Sequence, residues 1–180
     1  MARADIHVFG TAPLLLHSTA GMLVEAPKGL KTKPLGGEEE AEQGAYRNAD
    51  GVLCLPAVAF ARALFQAASK RKIGKLTARV ALAGTVIEGE LLPLVVPDSG
   101  ELIKEFTVDT RFVRIGSARI PRSRARIESW AVNVPIEWDE DLIDERAIRE
   151  LLFLAGKMIG VGDYRPATGG GSFGRFSIKD

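Results

Sequence analysis

The chain is poor in the residues from which many functional sites are built. Among its 180 residues it has one cysteine, Cys54, and two histidines, His7 and His17. A single cysteine excludes an internal disulfide and any metal site that rests on cysteine. The two histidines stand ten residues apart and form neither an HxH nor an HxxxH pair. We therefore expect neither a metal nor a cofactor.

Long apolar runs and a large net charge are also lacking. No apolar stretch approaches the ~20 residues that cross a bilayer, and the start, MARADIHVFG, lacks a signal-peptide pattern. We therefore expect a cytoplasmic protein with no membrane partner. Lysine and arginine total 24 against 23 acidic residues, so the net charge of +1 does not by itself indicate nucleic acid. The length favours a single domain over residues 1–180.

Strand-like and helix-like segments follow one another along the chain. Strands are predicted over residues 5–16, over 76–96 with one break, on both sides of 111–126, and in the final FGRFSI. Trp130, Val132, Val134, Ile136 and Trp138 fall on one face of their strand. The resulting order, βαββαβ, predicts an α+β, ferredoxin-like fold, with an antiparallel sheet covered by two helices.

Apolar residues repeating at three and four predict the two helices. The first begins near Pro56, and its apolar face is predicted from Val58, Ala61, Leu64, Phe65 and Ala68. The second has Asp144 as its N-cap. Its predicted stripe consists of Ala147, Ile148, Leu151, Leu152, Ala155 and Met158. Residues 25–50 lack such periodicity and predict a long mobile loop with a short helix near Glu38–Ala45.

Positive charge is concentrated between residues 111 and 126, where six arginines occur without an acidic residue. Arg122, Arg124 and Arg126 would share one face of a strand, as a ladder about 13 Å long. Such a ladder is long enough to follow two or three phosphates. Alternatively, these arginines form a solvated face or pair with acids such as Glu128, Glu137 and Asp139.

Glycines are concentrated in residues 160–175, and Gly169, Gly170, Gly171 and Gly174 lie between Arg165 and Arg175. The segment lacks the lysine of a phosphate-binding P-loop, and it follows a helix, unlike a dinucleotide-binding turn. Two interpretations remain. The glycines let backbone N–H groups approach a polyanion, or they form a flexible connection from a helix to a strand. In the first case Phe112, Tyr164 and Phe173 are candidates to stack on bases.

Three segments together resemble the RAMP superfamily, the Cas7-like and Cas6-like RNA-binding proteins of CRISPR systems. They are the opening strand with its bend, GTAPLLLHS; the helix that begins at LPAVAFARAL; and the glycine-rich GGGSFGRF. A longer frame, which adds RFVRIGSARIPR, WAVNVPI and AGKMIGVGDYRP, resembles a group of small phage and prophage proteins.

This resemblance implies a single RAMP-like domain in which residues 109–128 form a thumb-like hairpin. It also implies binding of single-stranded RNA or DNA along the backbone, without base specificity, by a homo-oligomer or filament. Expected partners include other CRISPR or phage recombination proteins, and the expected role is not enzymatic. The expected nucleic-acid-binding residues are Arg111, Arg114, Arg119, Arg122, Arg124, Arg126, Arg165, Gly169, Gly170, Gly171, Gly174 and Arg175.

Two alternative functions stay open. A Cas6-like, metal-independent endoribonuclease needs a proton acceptor for the 2′-hydroxyl and a proton donor for the leaving oxygen. His17, with Lys28, Lys31 or Tyr46, is the candidate for that chemistry. The other alternative is a phage structural or assembly protein whose arginines bind a protein partner.

Overall fold

The computed structural model describes residues 1–18, 37–70, 76–115, 117–168 and 170–179. These residues form an α+β arrangement with antiparallel sheets. The strands are β1 (Ala2–Gly10), β2 (Leu14–Leu16), β3 (Cys54–Pro56), β4 (Val86–Ile87), β5 (Leu91–Pro93), β6 (Thr107–Ile115), β7 (Ala118–Ile127), β8 (Ala131–Trp138) and β9 (Phe176–Ile178). The helices are α1 (Gly37–Gln43), α2 (Ala57–Ser69), α3 (Ala78–Ala81) and α4 (Glu145–Met158).

The main sheet has the strand order β4-β8-β1-β9, and β1 pairs with β8 along its whole length. Ile6 lies opposite Val134 and Val8 lies opposite Val132, and all four side chains are buried. The other face of the sheet carries polar side chains, among them His7, whose imidazole lies 2.9 Å from the Asn133 side-chain oxygen. The prediction that five alternating residues from Trp130 to Trp138 share a buried face is confirmed.

Helices α2 and α4 pack against each other and contribute side chains to the core. In α4 the prediction is confirmed for its central residues, because Ile148, Leu151, Leu152 and Ala155 are buried, although Met158 is exposed. The Asp144 carboxylate accepts a hydrogen bond from the Ala147 N–H at 2.7 Å, so the predicted N-cap is also confirmed.

The predicted apolar face of α2 is partly wrong. Val58 and Phe65 are 52% and 42% exposed, whereas the buried side is centred on Phe60 and Leu64. Helix α2 is apolar around most of its circumference, so several sets of residues satisfy the three-and-four spacing. In the orientation that α2 adopts, Phe60 points into the core, and the centre of its ring lies 5.6 Å from that of the Phe176 ring.

Two predicted segments need correction, and a third is confirmed in part. The strand over 5–16 is divided at residues 11–13, and its two parts, β1 and β2, belong to different sheets. The segment 76–96 begins with the short helix α3 before β4 and β5. Within the long loop predicted over 25–50, the short helix expected near Glu38–Ala45 is confirmed as α1, and Arg47 forms a bridge with Leu53. Residues 25–36 of that loop lie outside the described residues.

The arginine-rich segment forms the long hairpin of β6 and β7, paired from Thr107–Arg126 to Ile115–Ala118. Strand β2 joins this hairpin only near its base, where Leu16 lies opposite Ala125. Further along, α1 packs against β7, and the Glu40 carboxylate accepts a hydrogen bond from the Ser123 N–H at 2.9 Å. The outer part of the hairpin therefore extends past β2.

In the described part of the chain, no helix is long and apolar enough to span a membrane.

The glycine-rich loop, residues 160–175, is held by the chain itself. The Val161 N–H donates to the Gly174 carbonyl at 2.9 Å, and the Gly174 N–H donates to the Pro13 carbonyl at 2.8 Å. A Cβ atom at Gly171 would overlap the Tyr164 carbonyl, and one at Gly174 would overlap the Val161 carbonyl. These two glycines therefore permit close backbone packing within the protein. Gly170 faces open space, and Gly169 lies outside the described residues.

Replacing Gly174 by alanine should destabilise the protein more than the same change at Gly170. Both residues have positive φ, 63° and 91°, so both variants carry backbone strain. Only Gly174→Ala adds the overlap with the Val161 carbonyl, which we expect to cost about 2 kcal/mol more. Urea denaturation of the two variants measures the difference. Equal losses of stability would contradict the proposed role of close packing.

Candidate functional site

The glycine-rich loop and the β6–β7 hairpin, which the sequence singled out separately, lie against each other. The Arg124 guanidinium carbon is 4.8 Å from the centre of the Tyr164 ring, and that of Arg111 is 4.7 Å from the centre of the Phe173 ring. Arg126 also approaches the Phe173 ring, at 5.6 Å. Arginine side chains on one face of the hairpin therefore stack on the loop's two aromatic rings.

Carboxylates neutralise this same face of the hairpin. Asp109 pairs with Arg111 at 2.6 Å and with Arg126 at 3.3 Å, and Arg126 also pairs with Glu128 at 2.5 Å. The Arg111 guanidinium, helped by Arg126, holds the pKa of Asp109 below its ordinary value, although burial opposes this. The pairing of Arg126 with Glu128 follows the alternative interpretation of the arginine segment.

The other two members of the expected ladder are paired as well. Arg122 binds Glu40 at 2.9 Å, and Arg124, only 5% exposed, binds Asp163 of the glycine-rich loop. The three guanidiniums of the ladder are thus engaged within the protein, as Arg111 is. Arg122, Arg124 and Arg126 share one face as predicted, each with an acidic partner, and their contacts with phosphates stay a prediction.

The outer end of the hairpin differs from its base. Phe112 is 70% exposed, and Arg114 and Arg119 are exposed and directly opposite each other. No carboxylate among the described residues pairs with either arginine. Like charges directly across two strands are unfavourable. We call Phe112, Arg114 and Arg119 the hairpin tip; they share one face of the hairpin.

A separate cleft of about 220 Å³ lies between the end of β2, helix α2 and the start of the glycine-rich loop. Its lining includes His17, Tyr46, Arg62, Asp163 and Arg165. Burial, followed by the positive charge of Arg124, lowers the pKa of His17, so its imidazole is favoured in the neutral form. We call it the His17 cleft.

The site residues expected from the sequence therefore separate into different environments. Arg165 lines the His17 cleft, and its guanidinium donates to the Gly162 carbonyl at 3.1 Å, while Arg175 is exposed in the loop before β9. His17 and Tyr46 both line the cleft, whereas Lys28 and Lys31 lie outside the described residues. No group of three or more potential metal ligands occurs in the part of the chain that the structure describes.

Sequence reasoning missed three acidic residues and one basic residue. Asp109 stands two residues before Arg111 in the same strand, and this spacing was a usable signal. Glu40 and Asp163 are 82 and 39 residues away from their arginine partners, so no local pattern marks them. Arg62 was visible only as a basic residue within the LPAVAFARAL helix.

Comparison of the chain with protein-family models gives no match, and comparison with curated proteins gives none. The hairpin tip, the paired arginines and the His17 cleft are the features of the described residues that bear on function.

Arg124→Ala should destabilise the protein by about 2 to 3 kcal/mol. The change removes a buried guanidinium and leaves the carboxylate of Asp163, which is 31% exposed, without its ion-pair partner. Arg114→Ala is the matched control, because its exposed side chain pairs with no described acid, and we expect a change within about 0.5 kcal/mol. Urea denaturation measures both. Similar stability of the two variants would contradict a structural role for Arg124.

Asp109→Asn should lower the free energy of unfolding at neutral pH. It should also make that free energy fall less steeply as the pH is lowered. The folded-state pKa of Asp109 is depressed, so its contribution is present above the unfolded-state value of about 3.9 and is lost as pH falls below it. The stability difference between the wild type and Asp109→Asn should therefore shrink from about pH 5 to pH 2. Urea denaturation across this range tests it, with the exposed Asp98→Asn as control. A difference that stays constant with pH would overturn the assignment.

Proposed function

We propose that this protein binds single-stranded nucleic acid through the hairpin tip, without reading base sequence. The observation that carries the proposal is the 70% exposed Phe112 ring beside two arginines that no described carboxylate neutralises. An exposed aromatic ring offers a surface on which any base can stack. The guanidiniums of Arg114 and Arg119 are suited to adjacent backbone phosphates.

In this proposal the arginine ladder supports the interface instead of forming it. Its ion pairs and ring contacts join the base of the hairpin to the glycine-rich loop and to α1. A base held in this way orients the tip relative to the rest of the protein, which lowers the entropy cost of binding. The contacts to the nucleic acid then come from Phe112, Arg114 and Arg119.

The strand order supports a ferredoxin-like, RAMP-type assignment of the fold. The series β1, α2, β4, β8, α4, β9 has the order βαββαβ, and the sheet order β4-β8-β1-β9 puts β1 between β8 and β9. Such an arrangement is that of two split βαβ units. The β6–β7 hairpin is inserted between β4 and β8, where the resemblance to Cas7-like proteins expects a thumb-like hairpin. By the same resemblance, we propose that copies assemble side by side along the strand.

The experiment is fluorescence anisotropy with labelled single-stranded DNA and RNA of equal length, titrated over a series of salt concentrations. For Arg114→Ala/Arg119→Ala, we expect weaker binding and a salt slope smaller by about 1.4, since each phosphate contact to a single strand contributes about 0.7. Phe112→Ala should weaken binding about fivefold to hundredfold without changing the slope, because it removes stacking and no charge.

Arg79→Ala/Arg146→Ala is the matched control, because it removes the same charge from exposed arginines outside the hairpin. This control should retain the wild-type slope. Equal slopes for the two double variants would contradict a specific role of the tip. Absence of binding at low salt would overturn the proposal and favour a protein partner.

The labelled RNA should still be full-length when it is recovered from the anisotropy samples. The alternative function, RNA cleavage with His17 as the proton acceptor, is favoured by the joint presence of His17 and Tyr46 in one cleft. Shortened RNA that His17→Ala abolishes, with DNA left intact, would replace the non-enzymatic proposal by this alternative.

A further inference from the structure

The His17 cleft combines positive charge with an apolar wall. Arg62 projects from α2 and Arg165 from the glycine-rich loop, while Leu16, Leu55 and Val161 form apolar parts of the lining. The cleft volume of about 220 Å³ is far more than one water molecule requires. It is smaller than the ~300–1,000 Å³ of pockets for drug-sized ligands. These dimensions suit a small group with a short carbon framework.

Among the described residues, no carboxylate pairs with either of the two guanidiniums at the cleft. Arg62 has no hydrogen bond or ion pair with the described residues, and Arg165 donates only to the neutral Gly162 carbonyl in that set. The acid in the lining, Asp163, is already bound to Arg124 and also accepts from the Tyr164 N–H at 2.9 Å. Helix α2 begins here, so the positive end of its dipole adds to the field of the two arginines.

We propose that the His17 cleft binds a phosphomonoester group, with Arg62 and Arg165 on the phosphate and the apolar wall against the sugar. A phosphomonoester carries about −1.5 to −2 charges at neutral pH, which matches two guanidiniums more closely than the single charge of a phosphodiester. Two sources share this chemistry: the terminal phosphate of a nucleic-acid strand and a free nucleotide. The proposal does not depend on the hairpin tip, because the two sites share no residue.

The two histidines provide an internal comparison for the first test. His7 lies on the polar face of the main sheet beside Asn133, away from the cleft lining. The charged groups around His17 are Arg122, Arg124, Glu40 and Asp163, together with Arg62 and Arg165 of the lining. A phosphate dianion among them would favour the imidazolium form and raise the pKa of His17.

NMR titration of both imidazoles measures this, with adenosine 5′-monophosphate, inorganic phosphate and adenosine as probes. We expect the two phosphates to raise the titration midpoint of His17 and to leave that of His7 unchanged, and adenosine to change neither. An unchanged midpoint for His17 with all three probes would overturn the proposal. The same shift with adenosine as with the nucleotide would also overturn it.

Arg62→Ala should weaken binding of adenosine 5′-monophosphate at least about tenfold, because one charge-assisted hydrogen-bonding group is lost. Its side chain has no described partner, so the variant is expected to fold, and circular dichroism checks this. Arg165→Lys retains the charge but loses the fork and should weaken binding less than Arg165→Ala. Arg79→Ala is the control and should bind as the wild type does. Equal affinity of Arg62→Ala and the control would overturn the assignment.

Oligonucleotides with a 5′-phosphate, a 3′-phosphate or no terminal phosphate distinguish the two sources. If an oligonucleotide with a terminal phosphate binds more tightly than one without, and Arg62→Ala removes this difference, the cleft binds the ends of strands. Binding of the mononucleotide without any such preference assigns it to a free nucleotide. Variants of the hairpin tip should leave mononucleotide affinity unchanged, so failure of either site is recognised independently of the other.

Discussion

The packing of the glycine-rich loop against the β6–β7 hairpin depends most on the contacts of the buried Arg124 guanidinium. This guanidinium binds Asp163 of the glycine-rich loop and stacks on the Tyr164 ring, although it projects from the middle of β7. A charge that is 5% exposed is stable only where a partner neutralises it. The position of the loop on the hairpin is therefore tied to one ion pair and to the rings that surround it.

Several features follow from this contact. Because the loop is fixed against the base of the hairpin, Arg124 neutralises Asp163. The same position of the loop places Arg165 in the lining of the His17 cleft. The glycines permit the same packing, since Gly174 lies where a side chain would overlap the Val161 carbonyl. At the hairpin tip, arginines without described carboxylate partners lie beside an exposed ring, and in the cleft two further arginines of this kind line a cavity. These are the places where an anionic ligand is proposed to bind.

Local patterns predicted the elements well where one face of an element is buried and the other is not. The alternation in β8 and the repeat in α4 marked their buried residues, and Asp144 marked the start of α4. The same reasoning was partly wrong for α2, because alanine and other apolar residues cover most of its surface and Val58 and Phe65 face outward. The division of residues 5–16 between two sheets was not visible, because Leu14–Leu16 continue the apolar character of the first strand and Pro13 fits either an edge strand or a bend.

By itself, the sequence determined the two long helices α2 and α4, the buried faces of β8 and α4, and the concentration of arginine in one segment. Only the tertiary structure decided which arginines are available to a ligand. Arg122 and Arg124 are neutralised by acids 82 and 39 residues away, whereas Arg114 and Arg119 extend beyond the reach of any described acid. The physical reason is that the repeat of apolar residues along a strand or helix shows only which face of that element a side chain lies on. Charge neutralisation depends on which distant segment packs against it.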